Sequence, residues 1–215
     1  MRDICIIFDL DGTLVDSESL CNQAFLDLLP QLDDRLVTLV QRYRGHKLAT
    51  ILADLEQRLG FKLPGGFERD YRQRVAELFS KHLQPMPGVP EMLEILQGAK
   101  CVASSGPTAK IQLALQVSGL DAYFNGCIFS SYEVGSWKPE PGLFRFAARS
   151  MGFRPAQCAV VEDSEVGVQA ALAAGMAAFH YQAGDTPVCR KGNSRVFEHM
   201  SQLPPLLLEF AAGDR

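Results

Sequence analysis

One short apolar run, residues 4–8, reads Ile-Cys-Ile-Ile-Phe without alternation and stops at Asp9. Such a run fits a strand buried on both faces of a parallel sheet. A parallel strand needs partners, yet the next strand-like run is not met until residues 100–104. The intervening stretch, from residue 17 to about 83, carries helical spacing only: Leu20, Ala24, Phe25, Leu28, Leu29; then Leu36, Leu39, Val40; then Leu48, Ile51, Leu52, Leu55, Leu59. A last helix is predicted over about 66–81, after the turn Pro64-Gly65-Gly66. After Pro85-Met86-Pro87-Gly88, helices over 89–97, 110–117, 141–151 and 166–174 alternate with strands over 100–104, 127–129, 158–161 and 176–181. Repeated strand-helix pairs argue for an α/β fold on a parallel sheet, into which the helical stretch is inserted.

The chain has 215 residues, 47% hydrophobic and 21% charged, enough for a full core without disulfides or a structural metal. Its net charge of -4 leaves no basic excess for phosphate-backbone contacts, so nucleic acid is not an expected partner. No two of Cys5, Cys21, Cys101, Cys127, Cys158 and Cys189 form a C-x-x-C pair, and most lie in apolar runs. They read as buried free thiols in a reducing compartment. His46, His82, His180 and His199 are scattered, which argues against zinc. The run before Asp9 is too short and too acidic for a secretory leader, and no run approaches the ~20 apolar residues of a membrane span. A cytoplasmic protein without a membrane partner is expected.

Four features fall at the carboxyl ends of predicted strands, where α/β sheets place their chemistry. Asp9-Leu10-Asp11-Gly12-Thr13 sets two carboxylates on a tight loop. They can share a cation, and an ionised carboxylate can be a nucleophile; alone, the pair is also an ordinary polar strand end. Ser104-Ser105-Gly106 offers a hydroxyl and loop amides to phosphate oxygens, or a serine cap to the next helix. Lys138, in Trp137-Lys138-Pro139, would offset paired carboxylates and bind phosphate as a point charge, although most lysines are simply solvated. Glu162-Asp163-Ser164 suits a hard cation with oxygen ligands, and equally a helix cap.

In this order, Asp9-x-Asp11-Gly-Thr, Ser104, Lys138 and Glu162-Asp163 resemble the haloacid dehalogenase (HAD) superfamily, over nearly the whole chain. The closer likeness is to its β-phosphoglucomutase and phosphoglycolate phosphatase branch. Within that branch, Trp137-Lys138-Pro139, Ser104-x-Gly106-Pro107 and Arg44-Gly45-x-Lys47-Leu48 resemble the bacterial 6-phosphogluconate phosphatases. The resemblance implies a Rossmann-like HAD core of residues 1–15 and 86–215, with residues 16–85 as an inserted helical cap. It implies Asp9 as nucleophile and Asp11 as acid and then base. Mg2+ would be held by Asp9, the Asp11 carbonyl and Asp163, with Glu162 in or near the shell. Ser104, Lys138 and the loop amides after Asp9, from Leu10, Gly12 and Thr13, would hold the phosphoryl group, as would Ser105 and Gly106. The implied activity is Mg2+-dependent hydrolysis of a small phosphorylated metabolite, a sugar or sugar-acid phosphate with 6-phosphogluconate first, by a monomer.

Competing readings can be ordered. Dehalogenases of the fold lack the second aspartate, so Asp11 speaks against them. Phosphomutases of the branch carry a cap-side histidine where this chain has Cys21, and a thiol does not replace imidazole near neutral pH. Phosphonate hydrolysis needs a Schiff-base lysine in the cap, where Lys47 fits the phosphatase pattern instead. A non-catalytic binding module would be expected to lose an acid of the loop, and all are present. On the cap, Glu18, Arg44, Gly45 and Lys47 are candidates to face the substrate, with Arg44 and Lys47 available to a second anion. Arg42 and His46 read as a solvated helix end, and Glu68, Arg69, Asp70, Arg72 and Arg74 as an exposed helix face. Asp16 and Ser17 read as helix caps, and residues 15–17 and 84–88 as hinges.

Overall fold

The computed structural model describes residues 3–182 and 192–213, so Cys189 lies outside the described residues. Six strands are found among these: β1 (Cys5–Phe8), β2 (Ala99–Ser104), β3 (Ile128–Ser130), β4 (Cys158–Glu162), β5 (Ala177–Tyr181) and β6 (Arg195–Phe197). They form one sheet in the order β3-β2-β1-β4-β5-β6, and every neighbouring pair is parallel. From β1 the chain turns to β2 and β3 on one side, and later to β4, β5 and β6 on the other. The crevice beyond the carboxyl ends of β1 and β4 is therefore the topological switch point, where such sheets bind ligands.

Between β1 and β2 come α1 (Glu18–Leu28), α2 (Leu36–Tyr43), α3 (Leu48–Leu59) and α4 (Phe67–His82), with no strand among them. Their apolar faces meet around Phe25, which stacks on Tyr71 at 4.3 Å between ring centroids and meets Tyr43 edge-on at 6.3 Å. Gly60, at φ +74°, ends α3 in the left-handed conformation that glycine adopts without penalty. The segments entering and leaving this helical block lie side by side. The Asp16 amide donates to the Gln84 carbonyl at 3.0 Å and the Met86 amide to the Leu14 carbonyl at 2.9 Å.

The remaining helices are α5 (Val89–Ile95), α6 (Thr108–Val117), α7 (Ser131–Val134), α8 (Gly142–Ser150), α9 (Glu165–Ala173) and α10 (Leu203–Ala212). Side chains alternate across a strand, so β1 serves two cores. Ile6 and Phe8 pack with α5, α6 and α10, whereas Cys5 and Ile7 pack with α8 and α9. All four are at most 1% exposed, and burying a side chain of the Ile or Phe class contributes about 1.5–3 kcal/mol. This explains the unbroken apolar run that marks β1 in the sequence. The result is the expected α/β fold with its helical insertion. The predicted strands are found within a residue or so of their expected ends. The three-residue β6, the one-turn α7 and the whole of α10 were not anticipated. Cys5, Cys101 and Cys158 are buried, Cys21 and Cys127 are half-buried, and all five are free thiols.

Candidate active site

Asp9 extends β1 by one rung, its amide donating to Val161 of β4 at 2.9 Å. The loop beyond is tied to itself: Leu14 and Val15 donate to the Leu10 carbonyl, and Gly12 donates to the Val15 carbonyl at 3.0 Å. Gly12 has φ +79°, and a Cβ there would lie 2.5 Å from Asp163 Oδ2. Only glycine lets the loop pass so close to that carboxylate. The buried Thr13 hydroxyl donates to Asp163 Oδ1 at 3.4 Å.

Lys138 enters from the segment after α7, ahead of a cis peptide to Pro139, and is 7% exposed. Its ammonium donates to Asp9 Oδ1 and to Glu162 Oε1, and lies 5.1 Å from the centre of the Phe144 ring. The other oxygen of Glu162 accepts from the Ser164 amide at 2.7 Å and the Ser164 hydroxyl at 2.8 Å. Ser164 Oγ in turn accepts from the Gly167 amide and caps α9. Cap and acid cluster thus share one loop, and the helix-cap reading of Ser164 is the one observed.

Burial, opposed by Lys138 and reinforced by Glu162 and Asp11, pushes the Asp9 carboxyl up to about 7. Burial, then Glu162 and Asp9, push Asp163 well above the usual carboxylate range. Oxygens of Asp9, Glu162 and Asp163 lie within 4.8 Å of one another. An all-oxygen donor set of this kind fits Mg2+.

Asp11 points elsewhere. Its Oδ1 accepts from Ser17 Oγ and, at 2.6 Å, from Lys110 Nζ. Burial raises this carboxyl, but Lys110 and Ser17 outweigh burial and hold it below its ordinary value. Ser17 stands at the N-cap position of α1 without capping it, so the expectation of a simple cap is corrected: its hydroxyl serves Asp11. Ser104 does not cap α6 either, because it accepts from the Gly106 amide at 3.0 Å. Ser130, at the end of β3, donates to the Gly106 carbonyl at 2.7 Å and fixes the same loop.

A cavity of about 730 Å³ separates these strand ends from the inserted helices. Asp9, Asp11, Lys138, Glu162 and Asp163 form its floor, with Ser105 and Gly106 beside them. Phe25, Tyr71, Val75 and Phe79 give the helical side an apolar lining, with Glu18, Gly45, His46 and Lys47 among its polar members. Leu10 and Thr13 are fully buried outside the walls. The amide of Gly12 and the hydroxyl of Thr13 are spent within the protein, so these two residues shape the loop.

The chain matches the haloacid dehalogenase-like hydrolase family over residues 5–175. The chain belongs to that family. It is 34% identical to the 6-phosphogluconate phosphatase of Escherichia coli K12, over 94% of this chain and 93% of that one. It is 29% identical to the fructose-1-phosphate phosphatase of the same organism, over 80% and 92%. Among solved structures, a HAD family hydrolase from Deinococcus radiodurans R1, with bound phosphate and sodium, superposes with a TM-score of 0.78 at 28% identity, covering 97% of this chain and 96% of that one. The family named from the strand-end motifs is the one found.

Of the cap candidates, Glu18, Gly45 and Lys47 line the cavity as expected, and Arg44 does not. Arg44 is paired within the cap: its Nε and a terminal nitrogen both reach Glu18 Oε2 at 2.9 Å. Lys47 instead lies over the Trp137 ring, 5.0 Å from its centre. His46 and Arg42 are both exposed as expected, and His46 also lines the cavity. Arg72 and Arg74 do not lie on a freely exposed face. Arg72 donates to Glu68 and to the Tyr132 hydroxyl at 3.0 Å, and Arg74 pairs with Asp27 at 2.7 Å. The residue that sequence reading missed is Lys110. Its partner lies 99 positions away, and nothing in the local helical pattern distinguishes it from a surface lysine.

Proposed function

We propose that this HAD hydrolase is a Mg2+-dependent phosphatase acting on a small sugar or sugar-acid phosphate through an aspartyl-phosphate on Asp9. The observation that carries the reading is the convergence of Asp9, Asp11 and Lys138 on the floor of one cavity. In the first half-reaction an Asp9 oxygen bonds to phosphorus as the ester P–O bond breaks, and Asp11, which takes up a proton as the anionic phosphate enters beside it, gives that proton to the leaving oxygen. In the second, Asp11 takes a proton from water, which attacks the phosphoryl group and restores the Asp9 carboxylate. Lys138, the Ser104 hydroxyl and the amides of Asp11 and Ser105, two residues that line the cavity, hold the phosphoryl oxygens. Asp9, Asp163 and the Asp11 backbone carbonyl would hold Mg2+, which supplies charge neutralisation for the transferring group. Glu162 serves as the outer partner, since both its oxygens are engaged by Lys138 and Ser164.

Residues 16–85 act as a cap over a core of residues 1–15 and 86–215. The paired entry and exit segments form the hinge, and cap closure excludes water until product leaves. Cys21 lines the cavity where a mutase would place its imidazole, and burial raises its thiol. A neutral thiol there favours water as the final acceptor. The 6-phosphogluconate phosphatase among the relatives makes 6-phosphogluconate the first substrate to try. We place the enzyme in the reducing cytoplasm as a monomer.

The test is phosphate release from 6-phosphogluconate, phosphoglycolate, hexose 6-phosphates, fructose 1-phosphate and β-glucose 1-phosphate, with magnesium and with chelator, tracking the sugar product. Release that needs magnesium is expected. Isomerised sugar phosphate without release would make the protein a mutase, and binding without turnover would make it a binding module.

A further inference from the structure

We infer that Lys110 is a positioning residue for proton transfer: together with Ser17 it fixes one oxygen of Asp11, so that the other faces the ester oxygen of the substrate. The inference rests on the phosphatase reading above and adds a residue to it.

Two donors from different parts of the molecule meet on Asp11 Oδ1. Ser17 comes from the start of α1, at the cap hinge, and Lys110 from α6 in the core, at 2.6 Å. A free aspartate side chain turns about two bonds, and paired donors on one oxygen remove that freedom. Lys110 is built to reach this position. Its stem crosses Gly106, where a Cβ would lie 3.3 Å from Lys110 Cδ and 3.4 Å from Ser104 Oγ. The missing side chain of Gly106 therefore clears the lysine's path over the phosphate-binding loop. Among the described residues Asp11 is the only carboxylate in ion-pair contact with Lys110, whose ammonium also lies 5.7 Å from the centre of the cap's Phe79 ring. Because α6 belongs to the core, Lys110 can keep hold of Asp11 while the cap swings and Ser17 moves with the hinge.

Leaving-group chemistry separates this role from a structural one. A sugar hydroxyl departs poorly as an alkoxide and needs the proton that Asp11 supplies. 4-Nitrophenolate departs as a stable anion and does not. Since kcat/KM reports on events up to the first irreversible step, it isolates phosphoryl transfer from the later attack of water. We expect Lys110→Met to lower kcat/KM about 10- to 100-fold for the best sugar phosphate of the panel, but less than about threefold for 4-nitrophenyl phosphate. Asp11→Asn, measured alongside, should show the same contrast more strongly. Lys110→Gln provides a second, less drastic variant, and retained turnover of 4-nitrophenyl phosphate shows that its site is folded. Equal losses on both substrates, or none on either, would overturn the inference. So would an Asp11→Asn enzyme without the contrast. A wild-type enzyme that releases phosphate from nothing would remove the phosphatase reading and this inference with it.

Discussion

On the core wall of the cavity, charges answer one another across strand ends: buried Lys138 touches Asp9 and Glu162, and half-buried Lys110 holds Asp11. On the cap wall, the charges sit at helix ends nearer to solvent. Arg44 is paired with Glu18, Lys47 rests on an indole, and an apolar lining lies between them. Sheet hydrogen bonds position Asp9 and Glu162 of the first set, and the two lysines reach them and Asp11 from the core segments packed on the sheet. Short helices packed around Phe25 position the second, where a shift of an ångström changes what binds without touching the reacting atoms. Lesions on the core wall should therefore collapse turnover or stability, and lesions on the cap wall should move KM.

The largest effect expected is that of Asp9→Asn. An amide is a poor nucleophile and a neutral ligand, so kcat should fall by at least about 10³-fold while the far-ultraviolet circular dichroism is kept. Near-normal turnover would remove Asp9 from the chemistry and dissolve the contrast between the walls. Next is Lys138→Met, measured by urea denaturation. Taking away the lysine leaves Asp9 and Glu162 buried beside Asp163 without a counter-charge. Breaking one side of a buried ion pair typically costs about 3–5 kcal/mol, and that loss is expected in chelator. Saturating magnesium should return part of it, because a cation bound only by the folded protein stabilises it. A loss unaffected by magnesium would show that the three carboxylates do not form a cation site.

The same contrast explains how much could be read from the sequence. β1, β2 and β4 and the polar residues at their ends were legible because a strand buried on both faces leaves an apolar run, and because Asp9, Ser104 and Glu162-Asp163 lie at or just past the strand ends in the chain. Lys110 was not legible: its role exists only when α6 folds against the loop of Asp11, and a lysine in a helix usually means solvent. β6 is three residues long, too short for any period to register, and its place depends on the edge offered by β5. The pairing of the cap residues was hidden for a related reason. Arg44-Gly45-x-Lys47 put two cations at one helix junction, but their partners, Glu18 and Trp137, come from elsewhere in the chain. Only the fold decides which cation is spent on an acid.

The smallest effect expected is that of Lys47→Met, and it tests the cap wall directly. Among the described residues no carboxylate is paired with Lys47; its recorded partner is the Trp137 ring. A cation over an aromatic face near solvent is worth about 0.5–1 kcal/mol. If the contact only helps the cap rest on the core, its loss should raise KM roughly two- to fivefold for every sugar phosphate and leave kcat within a factor of about two. If Lys47 leaves the indole to meet a second anion on the substrate, the rise should be selective. 6-Phosphogluconate, with its carboxylate, would then suffer at least about tenfold more than glucose 6-phosphate, which has none. A fall in kcat beyond tenfold would place Lys47 among the groups that order the reacting phosphate. It would also mean that Trp137, one residue from Lys138, couples the two walls that the structure otherwise keeps apart.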